Sequence, residues 1–409
     1  MLKDNDFIAF CALSEAKGMV ITVKYFMHSL AKAASLSEVV ARQEIRIKAD
    51  LILGHDGTWS KMLSVWKQGE YRMAVGNKVL ITVDHAFPAP TVQDRALQQE
   101  IAEVCKEKKC QLYNHGEGVL HQIVAENVDI QPGMIIVGAD GHVATSGAFG
   151  ALAFSVSSEG LVPVLETGNY DLKVPDVVTI YLDGELRPDT MARDVALYIL
   201  GTYGQEVKGK AIALRGTFLE KASIDSKMTL CNLLPEAGVV TAFIVPKDSE
   251  DEGTVINISV NSIEPMVAIP PEPTFVSPLK DLAGKKISVA IIGGCSAGRL
   301  EDMTVVADVL KGQFVHPDVT LIVTPASSKI ANEMDQLGLT SILRSSGAVI
   351  MPPGCGPCPG KHFGVLSSND VAITTTIRNS PGRIGAKEAE IYLASPLSVA
   401  RAAIKGVIY

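Results

Sequence analysis

Four short apolar runs, KISVAIIGG (286–294), VTLIVTP (319–325), AVIMPPG (348–354) and VAITTTIR (371–378), read as buried strands. The helical patterns GRLEDMTVVADVLKG (298–312) and SKIANEMDQLGLTSILRSSG (328–347) separate the first three. Such alternation restricts the chain to a mostly parallel sheet with helices on both faces, because parallel neighbours need a crossover. Ligands of such sheets bind beyond the carboxyl ends of the strands. Cys295, the Cys355–Cys358 pair, Arg378 and Arg383 all follow strand ends, so the topology can gather them at one crevice.

The same pattern recurs upstream. KVLITVDH (78–85) ends at Asp84 and His85, and GMIIVGADGH (133–142) ends at Asp140 and His142. DVVTIYLDG (176–184) and KAIALRG (210–216) open another block. The Pro-rich stretch IEPMVAIPPEPTFVSPL (263–279) reads as a linker. The expected division is three α/β parts at 27–175, 176–280 and 281–409. Residues 1–26 have weak periodicity and read as an N-terminal extension, with Met27 as an alternative start.

With a net charge of −8, the chain has no basic footprint for nucleic acid, and an anionic substrate needs a local cationic site. No apolar run reaches the roughly 18–20 residues of a membrane span, and the charged start does not read as a signal peptide. Seven cysteines in 409 residues fit reduced thiols in the cytoplasm better than a disulfide framework.

Cys355 and Cys358 lie in PPGCGPCPGK, a C-x-x-C inside a Pro/Gly loop. Pro357 and Pro359 disfavour the helix that a redox dithiol opens. A structural zinc site needs four ligands, for which Cys295, Cys355, Cys358 and His362 are the nearby candidates. An iron–sulfur cubane normally takes four thiolates; three would leave one iron open for Lewis-acid chemistry. Cys295 sits where a helix begins, which favours its thiolate. Cys231, in TLCNLLPE, reads as a buried small hydrophobe. Cys11, Cys105 and Cys110 lack useful spacing, and CKEKKC (105–110) reads as an exposed helical turn.

Four histidines fall in turns or beside acids: HDG (55–57), DH (84–85), LHQIVAEN (120–127) and ADGH (139–142). Singly, each reads as structural or surface; together with the strand-end acids they suggest His–carboxylate pairs, which raise the imidazole pKa and make a proton donor. Arg378 and Arg383 flank the turn RNSPGR; alone it is a solvated loop, and beside a metal it is a clamp for carboxylates.

These motifs, with TLCNLLPE (229–236), GCSAGRLEDM (294–303), PGCGPCPG (353–360) and YLASP (392–396), mark a chain that resembles the aconitase family from about Met27 to Tyr409. In size it is similar to the large subunits of 3-isopropylmalate dehydratase and homoaconitase type. The resemblance implies an aconitase-like iron–sulfur fold without the swivel domain. It implies one [4Fe–4S] cluster on Cys295, Cys355 and Cys358, with one iron free of cysteine. It implies three pairs: Asp84 with His85, His121 with Asp140, and His142 with Glu236. Arg378, Arg383 and Asn232 match substrate-binding positions. The implied activity is a hydro-lyase, of leucine-biosynthesis type, that dehydrates, hydrates or isomerises a 2-hydroxy di- or tricarboxylic acid, with His85 protonating the departing hydroxyl. A homoaconitase or 2,3-dimethylmalate dehydratase large subunit is the alternative within the class. A non-catalytic RNA- or metal-binding relative is the alternative outside it, against which the acidic balance argues.

Three departures bear on the substrate. The family's usual D-S-H-T is Asp140-Gly141-His142-Val143 here, its C-T-N is Cys295-Ser296-Ala297, and its N-R-N is Ile377-Arg378-Asn379. Each removes a polar group, which suits a more apolar substrate such as a dialkylated malate. Single-chain aconitases continue into a mobile domain that brings a serine base, so the resemblance implies a separate small subunit here.

Overall fold

The computed structural model describes residues 21–69, 73, 76–245 and 254–409. Of the expected extension, residues 1–20 lie outside the described residues. The helix Ile21–Ala34 runs across Met27, so the boundary drawn there is not a structural one. Phe26 is fully buried and stacks on Phe243 at 5.6 Å between ring centroids. The Tyr25 hydroxyl donates to the Gly150 carbonyl. An apolar side chain buried this way contributes about 1.5–3 kcal/mol, which outweighs the weak periodicity read in the sequence.

Strand β1 (Glu44–Lys48) pairs antiparallel with β7 (Asn169–Lys173). The first large sheet contains β2 (Leu51–His55), β3 (Val79–Thr82), β4 (Gln111–Tyr113), β5 (Ile135–Gly138) and β6 (Leu152–Ser155). Its order is β4-β3-β2-β5-β6, all parallel. Strands β2, β3 and β5 are buried at every position, as expected of parallel strands covered on both faces. The winding reverses between β2 and β5, which opens a crevice beyond their carboxyl ends.

The second sheet contains β8 (Val177–Asp183), β9 (Ala211–Arg215), β10 (Thr241–Ile244) and β11 (Thr254–Ser259). Its order is β10-β9-β8-β11, again all parallel. The helices Ala192–Val207 and Ile224–Leu233 pack beside it.

The third sheet departs from expectation at its start. The Pro-rich stretch holds two short strands, β12 (Met266–Ala268) and β13 (Val276–Pro278), paired antiparallel. Pro270, Pro271 and Pro273 fall in the connection, and Pro278 ends the edge strand, where a missing N–H is tolerated. The sheet therefore begins before residue 281. It continues with β14 (Val289–Gly293), β15 (Thr320–Thr324), β16 (Val349–Ile350), β17 (Val371–Thr374) and β18 (Glu390–Ala394). The order is β13-β12-β18-β17-β14-β15-β16, parallel from β18 onward. A second reversal lies between β14 and β17.

The helical pattern over 328–347 is two helices, Ser328–Gln336 and Leu339–Ser345, because Gly338 between them takes a left-handed φ of 74°. Cys105, read as exposed, is 2% exposed in the first core. Cys231 is buried, as read, and Cys11 lies outside the described residues. No described helix is long and apolar enough to cross a membrane.

Candidate active site

Residues beyond the strand ends of the first and third sheets meet, Cys355 against Asp84 and His85. After β3 the chain turns at Asp84 and His85. Asp56, at the end of β2, fixes that turn: one carboxylate oxygen accepts the His85 N–H at 3.0 Å and the other accepts the Ala86 N–H at 2.9 Å. Asp84 binds His85 Nδ1 at 2.6 Å and accepts the Leu120 N–H at 2.7 Å. The His55 ring stacks on His85, with centroids 4.0 Å apart. Burial alone would raise Asp84 and lower His85. Their mutual charge and hydrogen bond outweigh it, so Asp84 falls to about 2 and His85 rises to about 9.

Asp140, after β5, is a hub. Its Oδ1 lies 2.8 Å from His121 Nε2 and accepts the His142 N–H at 2.7 Å, and its Oδ2 lies 3.2 Å from His55 Nε2. Burial works against its charge, but His121 leads a set of partners that hold it well below the ordinary range. His142 Nε2 meets Glu236 at 2.8 Å. Burial opposes its protonation, yet the hydrogen bonds to Asp140 and Glu236 raise it to about 9. All three pairs implied by the resemblance thus form hydrogen bonds. Coordinating atoms of His55, Asp56, Asp84 and His85 lie within 4.8 Å of one another, as do those of His121, Asp140 and His142.

The third sheet brings the cysteines. Cys295 follows β14 through Gly293, whose φ of 125° suits glycine and where a Cβ would sit 1.9 Å from the Thr324 carbonyl oxygen. Cys355 donates its N–H to the Asp84 carbonyl at 3.1 Å, and its Sγ lies 3.8 Å from His85 Nδ1. Burial pushes the Cys295 thiol up to about 12, with Cys358 adding to the rise, and pushes Cys355 well above its ordinary value. Thiols so placed ionise only with a cation. Donors already point at two of the sulfurs: Asn232 Nδ2 at 3.6 Å from Cys295 Sγ and Arg383 Nη2 at 3.7 Å from Cys358 Sγ. The buried Asn379 amide and Thr376 hydroxyl find no hydrogen-bond partner among the described residues. This donor set fits a sulfur-held metal group.

The three residues expected to bind substrate are engaged with the site's own groups. Asn232 is fully buried and also donates to Thr145 Oγ1 at 2.8 Å. Arg378 is fixed at Nε by both Glu236 oxygens, each at 3.0 Å. A Cβ on Gly141 would lie 2.8 Å from Arg378 Nη2, so the guanidinium occupies space that a larger residue would claim. His362 Nε2 donates to the Pro88 carbonyl oxygen, 2.9 Å away. His55 and Asp56 belong to the HDG triplet read as a candidate His–carboxylate segment, but not to the three pairs that the resemblance implies. Arg193 and Arg299, which lie behind Cys295, carry no sequence signal of their own.

Comparison with known proteins follows the same lines. The model of the aconitase family (aconitate hydratase) matches residues 30–252 and 276–406. "3-isopropylmalate dehydratase large subunit 2" of Methanopyrus kandleri is 35% identical over 376 residues, 90% of this chain and 94% of that protein. "Methanogen homoaconitase large subunit" of Methanocaldococcus jannaschii is 33% identical over 403 residues, 91% of this chain and 96% of that protein. Among solved structures, the holo-form of Thermococcus kodakaraensis aconitase X shares the fold, with a TM-score of 0.50 and 13% identity over 81% of this chain and 83% of that one.

Proposed function

The chain belongs to the aconitase family, and from that premise we propose that it is the cluster-bearing large subunit of a 3-isopropylmalate dehydratase-like hydro-lyase. Cys295, Cys355 and Cys358 hold a [4Fe–4S] cluster. When bound, that cluster supplies Lewis acidity at the iron that no cysteine ligates. The observation that carries the reading is the meeting of Cys355 Sγ and His85 Nδ1 at 3.8 Å, which sets a proton donor beside the metal ligands.

The substrate is a 2-hydroxy di- or tricarboxylic acid. His85 Nδ1 is committed to Asp84, so the proton for the departing hydroxyl sits on Nε2. Arg378, pinned at Nε by Glu236, turns its terminal N–H groups to a substrate carboxylate. Gly141 leaves room for that guanidinium and brings no hydroxyl of its own, which suits an alkylated malate. A separate small subunit closes the crevice and supplies the base. The protein works in the cytoplasm.

Homoaconitase is the second reading, favoured by a relative of that name at nearly equal identity. Anaerobic reconstitution with iron and sulfide, addition of a cognate small subunit and a screen of 2-hydroxy acids decide the matter. Ultraviolet absorbance of an unsaturated acid from an alkylmalate supports the first reading, and turnover of homocitrate alone supports the second. Silence with every acid rejects both.

A further inference from the structure

Behind Cys295 lie two guanidiniums that the proposed reaction does not use. Arg193, from the helix Ala192–Val207, and Arg299, before the helix Leu300–Leu310, are 1% and 0% exposed. Arg193 Nη1 donates to Ser296 Oγ at 3.1 Å and Nη2 to the Thr376 carbonyl. Ser296 Oγ donates onward to the Thr375 carbonyl at 2.6 Å. Arg299 donates to the Cys295 carbonyl and, at 3.1 Å, to Thr229 Oγ1. The turn that carries Cys295 is thus gripped from the second sheet's helices and from the end of β17.

Every one of these acceptors is a neutral oxygen. The neighbouring carboxylates are otherwise engaged: Asp194 accepts the Met191 and Met266 N–H groups at 2.8 and 2.9 Å, and Asp302 accepts the Arg299 N–H at 3.1 Å. Nε of both arginines finds no hydrogen-bond partner among the described residues. Buried cations with neutral partners are costly, and an anion close by offsets that cost. Burial works against the Arg193 charge, and the nearby Asp302, Asp194, Cys295 and Cys358 offset only part of that cost.

We propose that Arg193 and Arg299 are positioning residues for the iron–sulfur cluster, fixing the Cys295–Ser296 turn and setting two buried positive charges behind its thiolates. This rests on the cluster reading above. The charge favours the more negative, reduced cluster, and the fork holds the turn rigid.

The test uses the full chain, reconstituted anaerobically, with three readouts: iron lost to a chelator, one-electron midpoint potential and melting of the metal-free chain. Arg299→Met should lose iron at least tenfold faster. It should also favour the reduced cluster at least tenfold less, a fall of 59 mV for one electron. Arg299→Lys and Arg193→Lys keep the charge, so their potentials should stay near wild type while iron loss quickens. Wild-type potential and wild-type iron retention in Arg299→Met overturn the proposal. If Arg299→Met does not fold, the lysine variants decide, and iron retention like wild type in both overturns it. Wild-type chain that takes up no iron and sulfide removes the cluster reading itself, and this proposal with it.

Discussion

Cys355 donates its backbone N–H to the carbonyl of Asp84 across 3.1 Å. These residues are 271 positions apart and leave different sheets, yet the bond sets the thiol loop directly on the acid that orients His85. Ligand and proton donor are registered by backbone, so changes in either side chain can be read separately.

His85→Ala should lower turnover about 10²–10⁴-fold, the usual range for a general acid, while the cluster spectrum stays intact. Asp84→Asn should do the same with a smaller loss, because it frees the imidazole's tautomer and lowers its pKa. Kinetics and visible absorption on the same samples check this. Near-normal turnover in His85→Ala removes the assignment, and loss of the spectrum makes the histidine structural.

Stability should follow the same pair. His85 is raised from 6.5 to about 9 on folding, so its contribution is full below pH 6.5 and fades as pH rises through 9. Asp84 is lowered from 3.8 to about 2, so its contribution is full above 3.8 and fades as pH falls through 2. Urea unfolding of the metal-free chain should show the wild-type advantage over His85→Gln shrinking between pH 6.5 and 9. A flat difference over that window contradicts the pairing.

Single Ser variants of Cys295, Cys355 and Cys358 should each fail to retain about four irons per chain, the content of a cubane. Cys105→Ser should keep its iron, since that thiol is buried in the first core rather than in the crevice. Iron and sulfide analysis after anaerobic reconstitution settles both. Stoichiometric zinc without iron uptake would overturn the cluster.

Gly141→Ala should displace the Arg378 guanidinium, because the new Cβ would stand 2.8 Å from Nη2. A lost charged hydrogen bond of about 1.5–3 kcal/mol corresponds to a rise in KM of roughly ten- to a hundredfold. Steady-state kinetics should show KM rising more than kcat falls. An unchanged KM means that Arg378 meets no substrate carboxylate.

Much of this site was legible because a buried parallel strand is a simple signal. A short apolar run ending in Asp-His or Gly-Cys puts chemistry at a carboxyl end, and the runs before His85, Asp140 and Cys295 all did so. Other features were hidden by competing forces. The strands around Met266 and Val276 are three residues each and sit among prolines, so punctuation masked them. Nothing in the sequence singles out Arg193 or Arg299: arginine is rarely buried, and only tertiary hydrogen bonds explain their place. The Asp140 hub joins His55, His121 and His142 across three separate segments, a convergence no spacing encodes.

The relatives carry "large subunit" in their names, and this chain spans more than nine-tenths of them. The proposed crevice has a donor in His85, a carboxylate clamp in Arg378 and thiols for a metal, while the base is assigned to another chain. Histidines 121 and 142 are poor substitutes for it: each is tied to a carboxylate at 2.8 Å, and His142 is raised to about 9, which keeps it protonated near neutrality. The chain alone, with its cluster, should therefore show negligible dehydration. Adding the cognate small subunit should restore activity in a saturable titration that breaks near one to one, as closure excludes water and completes the site. The measurement is initial rate against small-subunit concentration at fixed large subunit. Full activity without the partner, once contaminating small subunit has been excluded, would place the base within these 409 residues and leave His121 and His142 as the first groups to test.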